Sequence, residues 1–220
     1  MRAARWVAVG DSFTAGTGDD QQHGGWVART ANALARTGRV GGFRNHAVPG
    51  ARLAAVLHDQ APLVVERVEI ISAIAGANDL MARRVDPTIV LRQMDELLDW
   101  ALDHADLVLT CTCPDFLVGR SAQLPRLAAR IDTINEHVEQ RRTSAAGRLV
   151  VVDAHAVLAE PAFWATDGIH ANPRGHARLA EVAIPLLEEA PTSTNTISTA
   201  PSAAPDGTST GPCTRYGRRP

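Results

Sequence analysis

The stretch that decides the fold lies near the start of the chain and reads Val7-Ala8-Val9-Gly10-Asp11-Ser12-Phe13. Its first three residues lack the polar alternation of a half-exposed strand, which predicts a strand that is buried on both faces. Gly10 and the small polar residues after it predict a sharp turn where that strand ends. In an open parallel sheet, ligands bind just outside the strand ends. Ser12 is therefore either an ordinary turn residue or a nucleophile, and residues further along the chain must decide.

Apolar runs and helical stripes alternate along the rest of the chain. Buried strands are predicted at residues 68–75, 107–111 and 149–152, with a poorer candidate at 43–48. Amphipathic helices are predicted between them, including one at 51–59, and Asp86-Pro87 and Asn172-Pro173 are typical helix starts. Helical spacing predicts that the buried stripes of two longer helices include Met94 in the first and Ile134 and Val138 in the second. Strands that alternate with helices at this spacing form right-handed βαβ units. The sequence therefore predicts an α/β fold with a parallel sheet that is covered on both faces.

Composition and charge exclude several classes of function. The chain has 220 residues, 45% of them hydrophobic, which is enough for one globular domain with a sizeable core. A formal net charge of -2 and a pI near 6.4 argue against nucleic acid or an anionic membrane as the main partner. All 22 basic residues are arginines, and we interpret their spread along the chain as compositional bias alone.

The ends of the chain give two further predictions. The start, Met1 to Arg5, runs directly into the first strand and leaves no room for a secretory signal, so we expect a cytoplasmic protein. No apolar stretch reaches the ~20 residues of a membrane span. Beyond residue 190 the sequence is dominated by Thr, Ser, Pro, Ala and Gly, a composition that cannot bury enough surface to fold. The predicted organisation is one folded domain over 1–190 and a disordered Ser/Thr/Pro-rich tail over 191–220.

The cysteines do not predict a disulfide framework or a metal site. There are three of them, Cys111, Cys113 and Cys213, and an odd number suits a reducing compartment. Structural zinc sites usually space their cysteines more widely than Cys111-Thr112-Cys113 and need two more ligands. We therefore interpret this pair as ordinary residues at the end of a strand, and His176 as a packing or capping residue rather than a ligand.

Polar residues interrupt the apolar pattern at four places. These are Gly10-Asp11-Ser12, residues 45–50, Gly76-Ala77-Asn78-Asp79 and Asp167-Gly168-Ile169-His170. The first three fall at or after strand ends, and the fourth precedes the last helix. Because such loops converge on one edge of a doubly wound sheet, we expect them to share one cleft.

These residue types fit acyl-transfer chemistry. A serine hydroxyl such as that of Ser12 needs a base to take its proton, and His170 is suited to that task. Asp167, three residues earlier, is within reach of the imidazole and would fix its tautomer and stabilise its charge. An oxyanion needs hydrogen-bond donors, and the candidates are the N–H groups of Ser12 and Gly50 and the side-chain amide of Asn78.

Taken together and in this order, the four motifs resemble the SGNH (GDSL-type) hydrolase family. The resemblance covers roughly residues 5–190, and the four signature residues of the family would correspond to Ser12, Gly50, Asn78 and His170. Each motif is weak alone, whereas the ordered set is specific. One departure is that Phe13 stands where the motif has leucine, which exchanges one apolar residue for another.

The resemblance implies a flavodoxin-like three-layer sandwich with a five-stranded parallel sheet, so that 1–190 would be an SGNH hydrolase domain. It implies that no metal or organic cofactor is used. It further implies Ser12 as the nucleophile, His170 as the base and Asp167 as the carboxylate that orients it. Ser12, Gly50 and Asn78 would donate hydrogen bonds to the oxyanion.

The predicted activity is that of a serine esterase or lipase-like hydrolase that cleaves small-molecule carboxylic esters through a covalent acyl-enzyme. The same site would also suit an acyltransferase or a thioesterase, and a non-catalytic carbohydrate-binding module could use the same loops. Ser12 and Asn78 could also be plain turn residues, and Gly50 the third residue of a type II turn. The absence of a Gly-x-Gly-x-x-Gly or Walker pattern in the sequence argues against nucleotide binding. The acyl length, the alcohol and the oligomeric state stay open.

Overall fold

Five strands form one sheet in the computed structural model, which describes residues 3–116, 118 and 121–190. In chain order they are β1 (Ala4–Gly10), β2 (Val40–Asn45), β3 (Val68–Ile74), β4 (Ala105–Cys111) and β5 (Leu149–Val152). Their order across the sheet is β2-β1-β3-β4-β5, and every neighbouring pair is parallel. The predicted α/β class with a five-stranded parallel sheet is confirmed. The strand order reverses between β1 and β3, and such a switch point is where ligands bind in open α/β sheets.

Helices connect the strands and cover both faces of the sheet. In the part of the chain that the structure describes, the α-helices are α1 (Ser12–Ala15), α2 (Gly25–Arg36), α3 (Leu53–Ala55), α4 (Ala77–Leu80), α5 (Pro87–His104), α6 (Pro125–Ser144), α7 (Ala154–Val157) and α8 (Pro173–Glu189). Helices α3, α5 and α6 pack on one face of the sheet, and α2, α7 and α8 pack on the other. None of these helices combines the length and the apolar character needed to cross a bilayer.

The alternation of side chains along β1 explains its uninterrupted apolar run. Trp6 and Ala8 belong to the core under α2 and α8, whereas Val7 and Val9 belong to the core under α5. All four are buried. A strand in the middle of a sheet that is covered on both faces has no solvent-facing position, and so it shows no polar alternation.

The two predicted helix starts are also confirmed. The Asp86 carboxylate accepts a hydrogen bond from the N–H of Thr88 at 2.9 Å. Asn172 accepts from the N–H groups of Arg174 and Gly175, both at 3.0 Å. Each side chain thus satisfies backbone donors that the first turn of a helix leaves without a partner.

Two segments differ from the sequence prediction. The second strand lies at Val40–Asn45 rather than at 43–48, because it is an edge strand whose residues are mostly exposed and carry little apolar signal. The helix predicted at 51–59 is α-helical only at Leu53–Ala55 and continues as a π-helical turn over Val56–Gln60. The predicted tail, 191–220, lies outside the described residues, and the boundary near residue 190 stays a prediction.

Candidate active site

Ser12 lies at the first residue of α1, directly after the turn that ends β1. The preceding residue, Asp11, caps this short helix, because its carboxylate accepts a hydrogen bond from the N–H of Phe13 at 3.0 Å. Gln60 holds the turn from the other side: it accepts from the N–H of Gly10 at 2.8 Å and donates to the Gly10 carbonyl at 2.9 Å. The position of Ser12 is therefore fixed by hydrogen bonds on both sides, and those made by Gln60 are buried.

Gly50 lies in a tight turn after β2. The N–H of Ala51 donates to the carbonyl of Val48 at 3.0 Å, and Pro49 and Gly50 are the central residues. The φ of Gly50 is +82°, which is the value that the third residue of a type II turn requires. The turn interpretation of Gly50 is thus correct, and it is compatible with a role for its N–H group in the cleft.

Asn78 lies in α4 and connects three of the predicted loops. Its side-chain nitrogen donates to the carbonyl of Ala51 at 3.0 Å and to the Asp11 carboxylate at 3.3 Å. The neighbouring Asp79 accepts a hydrogen bond from the N–H of Leu53 at 3.1 Å. The loops after β1, β2 and β3 are therefore joined by direct hydrogen bonds at the carboxyl edge of the sheet.

His170 and Asp167 lie in the loop before α8. One carboxylate oxygen of Asp167 accepts from the N–H groups of Ile169 and His170 at 2.9 and 3.0 Å, and the other lies 2.7 Å from His170 Nδ1. Gly18, with a φ of +97°, packs against this loop, since a Cβ there would lie 3.2 Å from the Cβ of His170. The imidazole is thus held by Asp167 of its own loop, and the loop after α1 packs closely against the backbone that carries it.

Four of the five predicted site residues line a single cavity of about 460 Å³: Ser12, Gly50, Asn78 and His170. Asp167, the fifth, is hydrogen bonded to the histidine. Among the residues that the structure describes, the Ser12 hydroxyl has no hydrogen-bond partner. Catalytic hydrogen bonds of this kind often tighten only in the complex with substrate.

The remainder of the cavity is mostly apolar, and the sequence did not predict it. Its wall includes Met94 of α5, Ile134 and Val138 of α6, and Phe116 in the segment after β4. Sequence periodicity assigned the first three to the buried stripes of their helices, and they are indeed buried. Periodicity shows which residues turn inward, but it does not distinguish a filled core from a cavity wall.

The carboxylates around the cleft differ in their electrostatics. Asp11 is 3% exposed, and this burial raises its pKa to about 6. Burial also raises the pKa of Asp79. For Asp167, hydrogen bonds from the backbone N–H and then the ring of His170 lower the pKa to about 2. Asp167 is therefore ionised at neutral pH and can stabilise a positive charge on the imidazole.

Other candidate metal ligands near the cleft are neutral. Burial raises the pKa values of the Cys111 and Cys113 thiols, so both stay protonated at neutral pH. His176 is fully buried, and its ring accepts a hydrogen bond from the N–H of Trp26 and lies 3.1 Å from the carbonyl of Thr17. Within the described residues, no three His, Cys, Asp or Glu side chains are grouped so that they could hold a metal ion.

Comparison with known proteins agrees with this architecture. The sequence matches the GDSL-like lipase/acylhydrolase family over residues 8–178. No curated protein matches the chain.

Several solved structures share the fold. A lipolytic protein of the G-D-S-L family from Veillonella parvula has a TM-score of 0.70 at 19% identity, over 84% of this chain and 98% of that protein. The acetylxylan esterase Axe2 from Geobacillus stearothermophilus has a TM-score of 0.67 at 19% identity, over 85% and 96%. Phospholipase A1 from Streptomyces albidoflavus has a TM-score of 0.63 at 17% identity, over 86% and 100%. At these identities the likeness shows a common fold.

Proposed function

Because the chain belongs to the GDSL-like lipase/acylhydrolase family, we propose that it is a serine esterase that cleaves carboxylic esters through a covalent acyl-enzyme intermediate. The observation that carries this proposal is geometric. One cavity is lined by four residues from distant segments of the chain: Ser12, Gly50, Asn78 and His170. A carboxylate oxygen of Asp167 lies 2.7 Å from Nδ1 of the imidazole. A serine, an oriented histidine and a set of donors around one cavity are the parts that acyl transfer needs.

The tautomer of His170 determines which nitrogen acts as the base. The ionised Asp167 accepts the hydrogen of Nδ1, so that Nε2 carries the lone pair. In the first step Nε2 takes the hydroxyl proton of Ser12 while Oγ bonds to the carbonyl carbon of the ester. The carbonyl electron pair moves to oxygen, and the N–H groups of Ser12 and Gly50 and the amide of Asn78 donate to the resulting oxyanion.

The intermediate then collapses, and the bond between the carbonyl carbon and the alcohol oxygen breaks. The protonated His170 gives its proton to the departing alcohol, which leaves the acyl group on Ser12. Water repeats the sequence: Nε2 takes a proton from water, the oxygen attacks the acyl carbon, and Ser12 leaves as the alcohol. Asp167 keeps the imidazole in place through both halves and stays ionised.

The cavity wall supports an aliphatic acyl group as the part of the substrate that enters it. This part of the wall offers no charged group to a bound acyl chain, because it is formed by Met94, Ile134, Val138 and Phe116. The relatives named above include an acetylxylan esterase and a phospholipase, whose names imply very different alcohols. We therefore propose the ester class and an aliphatic acyl group, and we assign no alcohol on the basis of the fold.

Replacement of Ser12 by alanine tests the proposal directly. The wild-type protein should hydrolyse p-nitrophenyl butyrate and be labelled once by a fluorophosphonate probe, with the label on the peptide that contains Ser12. Ser12→Ala should lower kcat by on the order of 10⁴-fold or more and abolish the label. Rapid quenching of the wild type with substrate should give a mass increase equal to one acyl group.

Ser144→Ala is the matched control, because Ser144 is exposed at the end of α6 and its hydroxyl donates only to the Arg141 carbonyl. It should hydrolyse the ester and take the label like the wild type. The proposal fails if Ser12→Ala retains the wild-type rate, or if the probe labels another residue.

A further inference from the structure

A second cavity, which we call the arginine groove, lies beside the proposed active site. It has a volume of about 620 Å³, and its lining includes Arg52, Arg83, Arg84 and Arg130. Helix α4 and the residues just after it separate the two cavities. Asn78 and Met81 line the proposed active site, whereas Asp79 and Ala82 line the arginine groove. A ligand that crosses this short segment would therefore contact both.

Positive charge exceeds negative charge in the groove, because four arginines line it but only two carboxylates. Arg52, Arg83 and Arg84 form no ion pair and no hydrogen bond with any residue that the structure describes. The two carboxylates that line the groove accept backbone hydrogen bonds, Asp79 from the N–H of Leu53 and Asp86 from the N–H of Thr88. The positive charge of Arg52 partly offsets the rise that burial causes in the pKa of Asp79. Within the described part of the chain, the groove therefore presents three guanidinium groups whose N–H donors have no hydrogen-bond partner.

Arginines elsewhere on the described surface are of both kinds. The side chains of Arg44, Arg126 and Arg174 also form no ion pair or hydrogen bond with a described residue, but they lie on three separate elements, β2, α6 and α8, and do not line the groove. Those that pair with a carboxylate include Arg5, Arg29, Arg67, Arg92, Arg141, Arg142 and Arg178. The fourth arginine of the groove, Arg130, donates to the carbonyls of Leu80 and Ala82, and so it fixes the segment between the two cavities. Unpaired cations that gather next to an active site are a candidate binding site for an anionic part of the substrate.

The chemistry of guanidinium groups narrows the class of anion. Arginine presents its N–H donors in a planar fork that matches carboxylate and phosphate oxygens, often with two parallel hydrogen bonds. Three such groups around one groove offer more donors than a single carboxylate can accept. A phosphate monoester, with three terminal oxygens and nearly two negative charges, fits this donor set better.

We propose that the arginine groove binds a phosphate group carried by the ester substrate, so that phosphate-bearing esters are preferred over neutral ones. The inference rests on the proposed function for its reaction: the acyl group enters the apolar cavity while the phosphate reaches across α4. The phosphate that binds to the groove belongs to the ester substrate under this proposal. A small phosphate ligand that is separate from the substrate would offer the same oxygens and charge, and the binding experiment below distinguishes the two.

Two substrates that differ only in the phosphate test this preference. They are 1-octanoylglycerol 3-phosphate and 1-octanoylglycerol, which have the same ester bond and the same acyl chain. Because each exposed charge pair contributes up to a few-fold, kcat/KM should be roughly tenfold higher for the phosphate-bearing ester. This ratio should approach one in about 1 M NaCl, where the screening length is only ~3 Å.

The variant Arg83→Gln/Arg84→Gln should bring the ratio close to one at low salt. Both side chains are exposed, so we expect the wild-type melting temperature, and Arg52→Gln gives a second test on a different segment. The matched control is Arg36→Gln/Arg178→Gln, which removes the same charge from α2 and α8 and should keep the wild-type ratio. The proposal is overturned if the wild type hydrolyses the phosphate-bearing ester with a kcat/KM no higher than that for the neutral ester. It is also overturned if the groove variant keeps the wild-type preference for the phosphate-bearing ester.

Equilibrium binding separates this inference from the proposed function. In the Ser12→Ala background, the groove substitutions should weaken the binding of 1-octanoylglycerol 3-phosphate by roughly tenfold. That result would support the groove even if neither ester is hydrolysed, and equal binding overturns it. If inorganic phosphate binds to the groove while the two esters bind equally well, the ligand is a separate phosphate and the substrate assignment is wrong.

Discussion

The apolar part of the active-site cavity predicts how the rate of ester hydrolysis depends on acyl chain length. A volume of about 460 Å³ holds on the order of 15 non-hydrogen groups at ~30 Å³ each, the reacting ester included. Each buried methylene contributes ~0.8 kcal/mol, which corresponds to about fourfold in kcat/KM. For p-nitrophenyl esters, kcat/KM should therefore rise about fourfold per methylene and level off near roughly ten acyl carbons.

Substitutions in the cavity wall should move this plateau in opposite directions. Val138→Phe adds about four non-hydrogen atoms to the wall and should shorten the preferred chain by about as many carbons. Met94→Ala removes about three non-hydrogen atoms from the wall and should lengthen the preferred acyl chain by about three carbons. Both residues are buried, so we expect each substitution to lower the free energy of unfolding as well.

A core residue on the same helix gives the matched control. Leu97 is fully buried in α5 but does not line the cavity. Leu97→Ala should cost about 2–5 kcal/mol of stability, as Met94→Ala does, and leave the plateau at the wild-type chain length. The assay is a series of p-nitrophenyl esters from acetate to laurate, with urea unfolding of each variant. A plateau that both cavity variants leave unmoved would show that the acyl chain binds elsewhere.

Three further predictions concern the polar side of the cleft. Asn78→Ala should lower kcat by on the order of 10²-fold with little change in KM, and an unchanged kcat would remove Asn78 from the oxyanion site. Because hydrogen bonds from His170 hold the pKa of Asp167 near 2, Asp167→Asn should lower kcat by on the order of 10²-fold or more across about pH 5–9. A loss confined to low pH would contradict that role. Burial raises the pKa of Asp11 from 3.8 to about 6, so its contribution to stability should fall as pH rises from about 4 to 6. The free energy of unfolding, measured in urea for both proteins, should therefore fall relative to that of Asp11→Asn as pH rises over this range, and a difference that does not change with pH would contradict the raised pKa.

The central strands and the helix starts were predictable because their signals are local. The apolar run of β1 has no polar position, since the strand is covered on both faces. Asp86 and Asn172 begin helices because a short polar side chain followed by proline satisfies the first backbone donors. The four polar interruptions were visible for the same reason: each one ends an apolar pattern within a few residues.

Features that depend on distant neighbours were not predictable. Gln60 is 2% exposed and hydrogen bonded to Gly10, but nothing near it in the sequence indicates a partner fifty residues away. The buried residues Met94 and Val138 have the same periodicity whether they fill a core or line a cavity. The arginines of the groove come from three separate segments, and so they could be interpreted only as composition until the fold placed them together.

The hydrogen bonds of Asn78 constrain how the proposed oxyanion site works. Its amide has two hydrogens, and both already have acceptors: the Ala51 carbonyl at 3.0 Å and the Asp11 carboxylate at 3.3 Å. Under the proposed mechanism the oxyanion must replace one of them, and the longer bond is the weaker one. An ionised Asp11 would also repel the oxyanion, whereas a protonated carboxyl would not. Because burial has already raised the pKa of Asp11 to about 6, protonation of this carboxylate near neutral pH requires little free energy. Under the proposed mechanism, Asp11 would therefore hold Asn78 in place in the free enzyme and release it when negative charge develops on the substrate.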